Sequence, residues 1–364
     1  MHFKFKHLKF LVLIALTPAL FSGLTGCGKR KPPLPPKERV EQRAEIAGFQ
    51  RGTQVILSWK MPARNAPEGS VLNIARIDVY RLAESLTSPQ GISEEEFASR
   101  SVQIGTIPVA DSDFGLKTMT YRDELQFAGQ PARLRYAIRF VNNAGQKAAF
   151  SNFFLIEPAA KIAAAPTSLS ATLSQEAIAL TWETPKANVD GTTPPNIIGY
   201  NIYRTDAEKT PAVLLNKEPV IDSSYLDPSF EFEKKYWYFV RTISLGTGGS
   251  SVESAESNIV SIQTVDTFAP APPASITIAA SPTTISLFFP ANLETDVAGY
   301  SIYRSTDPAA PLNGWELMTP ELTSTTTFQD SRVESGKTYY YYVTATDKYK
   351  NVSRPSEVVS ETVP

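Results

Sequence analysis

Histidine and cysteine are almost missing from this chain. Of its 364 residues two are histidine and one is cysteine, and both histidines, His2 and His7, fall within the first ten positions. One cysteine rules out an internal disulfide. Beyond residue 10 the lack of imidazole removes Ser-His-Asp and Cys-His nucleophilic catalysis, and with it the usual imidazole and thiolate zinc sites. Basic residues are not in excess, with 35 Lys and Arg against 37 Asp and Glu. Nucleic acid is held mainly by phosphate contacts from basic patches, so no nucleic-acid partner is expected. Glycine makes no phosphate loop either. Gly246-Thr247-Gly248-Gly249 reads as a hairpin turn.

What is present at the start is ordered. Lys4, Lys6 and Lys9 stand in the first ten residues without an acid, and an apolar run follows from Phe10 to Phe21, short for a membrane span. The run leads into Leu24-Thr25-Gly26-Cys27, which resembles the bacterial lipobox. That resemblance implies cleavage before Cys27 and lipid chains on its new N-terminus, so residues 1–26 are expected to be a lipoprotein signal peptide. More than one buried acyl chain is needed for durable anchoring, at about 0.8 kcal/mol per methylene. Losing residues 1–26 would leave 32 basic against 37 acidic residues, a net charge of −5. Residues 27–43 hold Pro32, Pro33, Pro35 and Pro36 among charges and read as an extended tether of polyproline type.

The rest of the chain repeats itself three times. Val55, Leu57 and Trp59 alternate before Pro62; Ile178, Leu180 and Trp182 before Pro185; Ile285, Leu287 and Phe289 before Pro290. Period-two alternation with branched and aromatic residues predicts strands with one buried face. Thirteen positions before each aromatic stand Ile46, Leu169 and Ile276. Downstream, Arg76-Ile77-Asp78-Val79-Tyr80-Arg81 lines up with Gly199 to Arg204 and with Gly299 to Arg304, followed by Asp123, Asp227 and Asp330. Later alternating strands carry Leu134 and Tyr136, Tyr236 and Tyr238, Tyr339 and Tyr341, and each copy closes near a serine, Ser151, Ser257 or Ser356.

This ordered set resembles the fibronectin type III family. The resemblance implies an all-β fold of three tandem immunoglobulin-like sandwiches, at 44–158, 166–265 and 270–364, behind the signal and the tether. It also implies a core role for Trp59 and Trp182, and corner tyrosines at Tyr236 and Tyr339 that bond back to backbone. Phe289 and Leu134 stand where the pattern wants tryptophan and tyrosine, which makes the first copy the least regular. Pro158 to Ala165 reads as a linker. Asp266-Thr267-Phe268-Ala269-Pro270 resembles the Asp-Thr-x-Ala-Pro joint of bacterial arrays of such domains.

Three places are candidates for function. The first copy carries an insertion, residues 82–101, in which Ser93-Glu94-Glu95-Glu96 has capping-box spacing, predicting a short helix whose Ile92 and Phe97 either form a partner-binding anchor or fold back onto the sandwich and pin the loop. In the run Tyr339 to Tyr342 alternate residues face opposite ways, so one pair is core and the other, Tyr340 and Tyr342, is a candidate exposed surface for a sugar or protein, with cross-strand packing without a ligand the commoner explanation. Calcium takes oxygen ligands alone, and Asp266, Glu294 and Asp296 are its best candidates. Unpaired surface acids are the commoner explanation, so no metal and no cofactor is expected.

The sequence therefore predicts a non-catalytic lipoprotein of the cell envelope, membrane-bound through its lipid, with an envelope protein or glycan as partner. Gly28 after Cys27 favours the outer membrane by the enterobacterial sorting rule. A carbohydrate-binding accessory protein and a carboxylate-based glycoside hydrolase are the alternatives; a glycosidase needs two carboxyl groups converging across a cleft.

Overall fold

Alternating apolar residues become paired strands in the computed structural model, which describes residues 43–126, 132–207 and 211–364. The signal segment, the lipobox residues Leu24, Thr25 and Gly26, Cys27 and the tether up to residue 42 lie outside the described residues. The chain forms two compact units, one built on Val55–Glu124 with flanking segments through Pro158 and the other on Ala159–Pro364. The first unit holds the first sandwich; the second unit holds the other two.

In the first sandwich the strands are β1 (Ile46–Arg51), β2 (Gln54–Lys60), β3 (Ile74–Ser85), β4 (Val102–Pro108), β5 (Thr118–Glu124), β6 (Ala132–Asn142) and β7 (Phe154–Ile156). They pair as β1-β2-β5 and as β4-β3-β6-β7. In the second, β8 (Thr167–Leu173), β9 (Ile178–Glu183) and β12 (Ser224–Asp227) form one sheet. The facing sheet there joins β10 (Gly199–Thr205), β11 (Val213–Leu214), β13 (Lys235–Leu245), β14 (Ser251–Glu253) and β15 (Val260–Gln263). In the third, β16 (Thr277–Ser281), β17 (Thr284–Phe288) and β20 (Thr327–Asp330) oppose the order β19-β18-β21-β22, made by β18 (Val297–Ser305), β19 (Glu316–Leu317), β21 (Thr338–Asp347) and β22 (Val359–Thr362). All three domains share one plan, with the first, second and fifth strands on one side and the fourth, third, sixth and last on the other.

The cores sit between these sheets, on the faces that the alternation predicts. Trp59, Trp182 and Phe289 are all buried. Trp182 meets Tyr200 edge to face at 5.2 Å between centroids, and Phe289 meets Tyr300 in the same way at 4.9 Å, a geometry that the aromatic quadrupole favours. Of the tyrosine run, Tyr339 and Tyr341 enter the third core together with Val343 and Ala345.

The serines have a defined task. Ser151, Ser257 and Ser356 each accept through Oγ from a backbone N–H of the sixth strand, those of Ile138, Val240 and Val343, at 2.9 to 3.0 Å. Each then donates to the carbonyl of the next residue. A side chain thereby satisfies a ladder donor that the irregular last segment leaves open.

The stretch read as a linker, Pro158 to Ala165, packs on the second sandwich around Ile162 and Ala163. Ile162 and Ala163 are fully buried, Val189 N–H donates to the Ile162 carbonyl at 2.8 Å, and Ala163 N–H donates to Ser244 Oγ at 2.8 Å. The apolar Ile162 has a place in this core, so the chain is held up to the start of β8.

Candidate functional site

The repeated charges of the sequence meet inside each sandwich. Arg81, Arg204 and Arg304 on the third strands reach Asp123, Asp227 and Asp330 at the ends of the fifth strands, at 2.7, 2.8 and 2.7 Å. The same carboxylates accept from the hydroxyls of Tyr136, Tyr238 and Tyr341 at 2.7, 2.8 and 2.7 Å. Strand alternation forces this meeting, because Arg, Asp and Tyr all occupy inward positions near one end of the sandwich. Low polarity around them makes each bond strong and each loss expensive.

Burial, followed by the bond to the aspartate, drives the hydroxyls of Tyr136, Tyr238 and Tyr341 far above the ordinary tyrosine range. Burial also opposes the charge on Asp227. Hydrogen bonds from Ser229 and Tyr238, with the Arg204 charge, outweigh it and hold that carboxyl below its usual value. The signs follow from linkage. Asp227, depressed in the folded state, stabilises above the ordinary aspartate range of about 4 and loses that effect as pH falls through it. The three tyrosines, raised in the folded state, stabilise fully below about pH 10 and lose the effect as pH rises beyond. The unfolding temperature should therefore fall on both flanks, and Tyr238→Phe should flatten the alkaline limb when melting is followed across pH.

The corner tyrosines are where the sequence puts them. Tyr236 and Tyr339 accept, through their hydroxyl oxygens, the backbone N–H of Glu231 and of Glu334, both at 3.1 Å. Arg204 and Arg304 lie over those rings at 4.8 and 5.2 Å. Leu134 in the first domain can do neither.

The insertion does not form the anchor. Its helix α1 (Glu94–Arg100) forms as predicted, with the Glu96 N–H donating to Ser93 Oγ at 3.1 Å. Glu94, Glu95 and Glu96 are acids of its first turn, where the helix dipole favours them. Phe97, however, is 0% exposed and packs among Tyr80, Leu82, Ala137 and Phe150, with Ile92 against the same cluster. Its ring meets Phe150 edge to face at 5.1 Å. Buried Arg133 and Arg135 clamp the loop by donating to the carbonyls of Ser88 and Pro89, and Arg135 also pairs with buried Glu84 at 2.9 Å. Ile92 and Phe97 thus pin the loop and present no anchor to solvent. Burial of a phenyl ring is worth more than its display.

Tyr342 is corrected likewise. It is buried, stacked on Tyr303 at 4.6 Å and tilted against Trp315 at 5.2 Å, and its hydroxyl donates to the Leu312 carbonyl. Tyr340 is half-buried between Ser305 and Ser360 on the outer face. One half-buried ring is not the exposed pair on which sugar stacking was to rest.

The acid group at the joint of the second and third domains exists with a changed membership. Oxygens of Asp266, Asp296 and Asp347 all lie within 4.8 Å of one another. Glu294 is elsewhere, accepting from the Ala271 N–H at 2.7 Å and from Asn292 Nδ2 at 3.2 Å. Burial, and then the charges of Asp347, Asp296 and Glu233, raise the pKa of Asp266 against the pull of the Phe268 N–H bond. Asp347 was out of reach of sequence reasoning, standing 81 residues from Asp266 at the end of β21.

The shared strand plan and the three buried cores define the class: an all-β chain of three sandwiches of immunoglobulin-like plan. No family model matches the chain, and no curated protein does. Among solved structures it is similar to the crystal structure of the chicken CNTN1 FN1-FN3 domains, at 15% identity over 88% of this chain and 98% of that one, with a TM-score of 0.26. At that score the fold rests on the strand plan itself. A fold of this kind does not by itself fix a function, which sits in sites grafted onto it.

Proposed function

We propose that the chain is a non-catalytic, lipid-anchored scaffold of the cell envelope. In this reading Cys27 carries the lipid, residues 27–43 hold the folded part away from the bilayer, and the sandwiches offer loops and sheet edges to another envelope component, with the outer membrane as the favoured site. One observation carries the non-catalytic part. The strongest buried constellation, Arg with Asp and Tyr, occurs three times at equivalent positions. A catalytic group is needed once, whereas a device that closes one end of a sandwich recurs with the sandwich. The acids left on the surface are solvated or paired with nearby Lys and Arg, as Glu231 is with Lys234 and Glu334 with Lys337.

Cys27→Ala should move the protein from the membrane fraction to a soluble one. Retention of that variant on membranes after a carbonate wash would sink the lipid reading. Affinity capture from the native envelope, with the lipidated protein as bait, should return one specific component that survives washing. Turnover of any envelope polymer that vanishes on a single Asp or Glu substitution would overturn the non-catalytic reading.

A further inference from the structure

We propose that Asp266, Asp296 and Asp347 form a calcium site that locks the joint between the second and third sandwiches. Two nearly buried carboxylates stand here without a counter-charge: Asp266 is 5% exposed and Asp347 is 2% exposed. Eight acidic residues are buried among the described residues. Six of them, Asp78, Glu84, Asp113, Asp123, Asp227 and Asp330, form an ion pair with an arginine or lysine. The two exceptions are the two in this cluster. A buried carboxylate without a cation is costly, and two beside a third acid repel as well.

A second observation points at a ligand. Asp266 Oδ2 is buried and accepts no hydrogen bond, while its Oδ1 is held by the Phe268 N–H at 2.9 Å and by Asn351 Nδ2 at 3.3 Å. Asp347 is oriented in the same manner. Its Oδ1 accepts the N–H groups of Tyr349 and Asn351, both at 2.8 Å, and its Oδ2 accepts from Asn351 Nδ2 at 2.8 Å. Asn351 therefore acts on both carboxylates and fixes their aim. Glu84 Oε1 is also buried without a hydrogen bond, but Glu84 has the guanidinium groups of Arg135 and Arg133 at 2.9 and 3.8 Å. The orphan oxygen of Asp266 has no such cation beside it and is what a bound cation would use.

The chemistry favours calcium. All the donors are oxygen, which disfavours zinc and copper. Two oxygens on opposite sides of a calcium ion, each at about 2.3–2.6 Å, stand about 4.6–5.2 Å apart, against about 4.0–4.2 Å around magnesium. The three carboxylate oxygens all lie within 4.8 Å of one another, inside the span of a calcium shell. The ion would tie residues that follow β15 to the start of β18 and the end of β21, beside a contact in which Phe232 of the second sandwich already meets Tyr349 of the third at 5.7 Å.

The test is calorimetric titration of the chelator-stripped full chain with calcium chloride. Melting is then followed with and without about 5 mM calcium, above the about 10⁻⁴–10⁻³ M range of extracellular modules. One ion per chain and a rise in the unfolding temperature are expected, with magnesium at least tenfold weaker. D266N and D347N should each abolish the calcium response, and Glu294→Gln, two positions from Asp296 but outside the cluster, should leave it intact. If either buried variant fails to fold, D296N is read instead, since Asp296 is only half-buried and its loss should weaken calcium binding at least tenfold. No binding heat and no melting shift at that concentration would overturn the proposal, as would a response unchanged in all three variants.

Discussion

Replacing Asp227 with alanine should cost the second sandwich about 3–5 kcal/mol, the usual penalty for removing one partner of a buried ion pair. Asp227 is the common acceptor of Arg204 and Tyr238, and its other oxygen takes the Ser229 N–H at 3.0 Å and hydroxyl at 2.7 Å. Its removal leaves the Tyr238 hydroxyl buried without an acceptor and leaves Arg204 with only Ser229. Replacing the whole group, Arg204→Met with Asp227→Leu and Tyr238→Phe, should recover much of that loss, because an intact apolar cluster strands no polar group. Amide exchange in β13 reads the local stability of this domain directly. A loss below about 1 kcal/mol for the single variant would mean that the triad is relaxed by water and does not close the sandwich.

The second large effect is at the centre of the same core. Trp182→Ala should cost about 3–5 kcal/mol, through lost transfer energy and the cavity left behind. The third sandwich suggests the milder substitution. There Phe289 meets Tyr300 as Trp182 meets Tyr200, so Trp182→Phe keeps the edge-to-face contact while shedding volume. The indole Nε1 of Trp182 is buried without a hydrogen-bond partner, and deleting it removes an unsatisfied donor that costs about 1–3 kcal/mol. Trp182→Phe should therefore lose under about 1.5 kcal/mol. Equal losses for the alanine and phenylalanine variants in denaturant titrations would show that the indole nitrogen contributes favourably after all.

Much of the architecture was readable because alternation states which face of a strand is buried and does so without reference to partners. Val55, Leu57 and Trp59 declare their side by spacing alone, and so do Tyr339 and Tyr341. The failures share a cause of another kind. Spacing alone leaves Phe97 and Tyr342 open to both a packed place and a surface role. Phe150 and Phe153 cover the first and Tyr303 with Trp315 the second, and covering residues far along the chain leave no periodic mark. The acid cluster was half visible. Asp266 and Asp296 sit near a recognisable joint, but Asp347 comes from a strand whose pairing with β18, Val297 opposite Asp347, is a tertiary fact. The triads had a signal that went unused. Three ionisable residue types recurring at inward positions in every copy can only be buried there together.

The serines that close each sandwich also bear on how such chains behave side by side. Because Ser151, Ser257 and Ser356 take a strand amide with a side chain, regular pairing of the last strand begins late, and β7, β15 and β22 run for only three, four and four residues. A sheet margin this brief offers a neighbouring polypeptide few consecutive N–H and C=O groups to zip onto, and brevity is one way in which β-proteins resist edge-to-edge aggregation. At this margin recognition is therefore left to side chains and loops rather than to backbone.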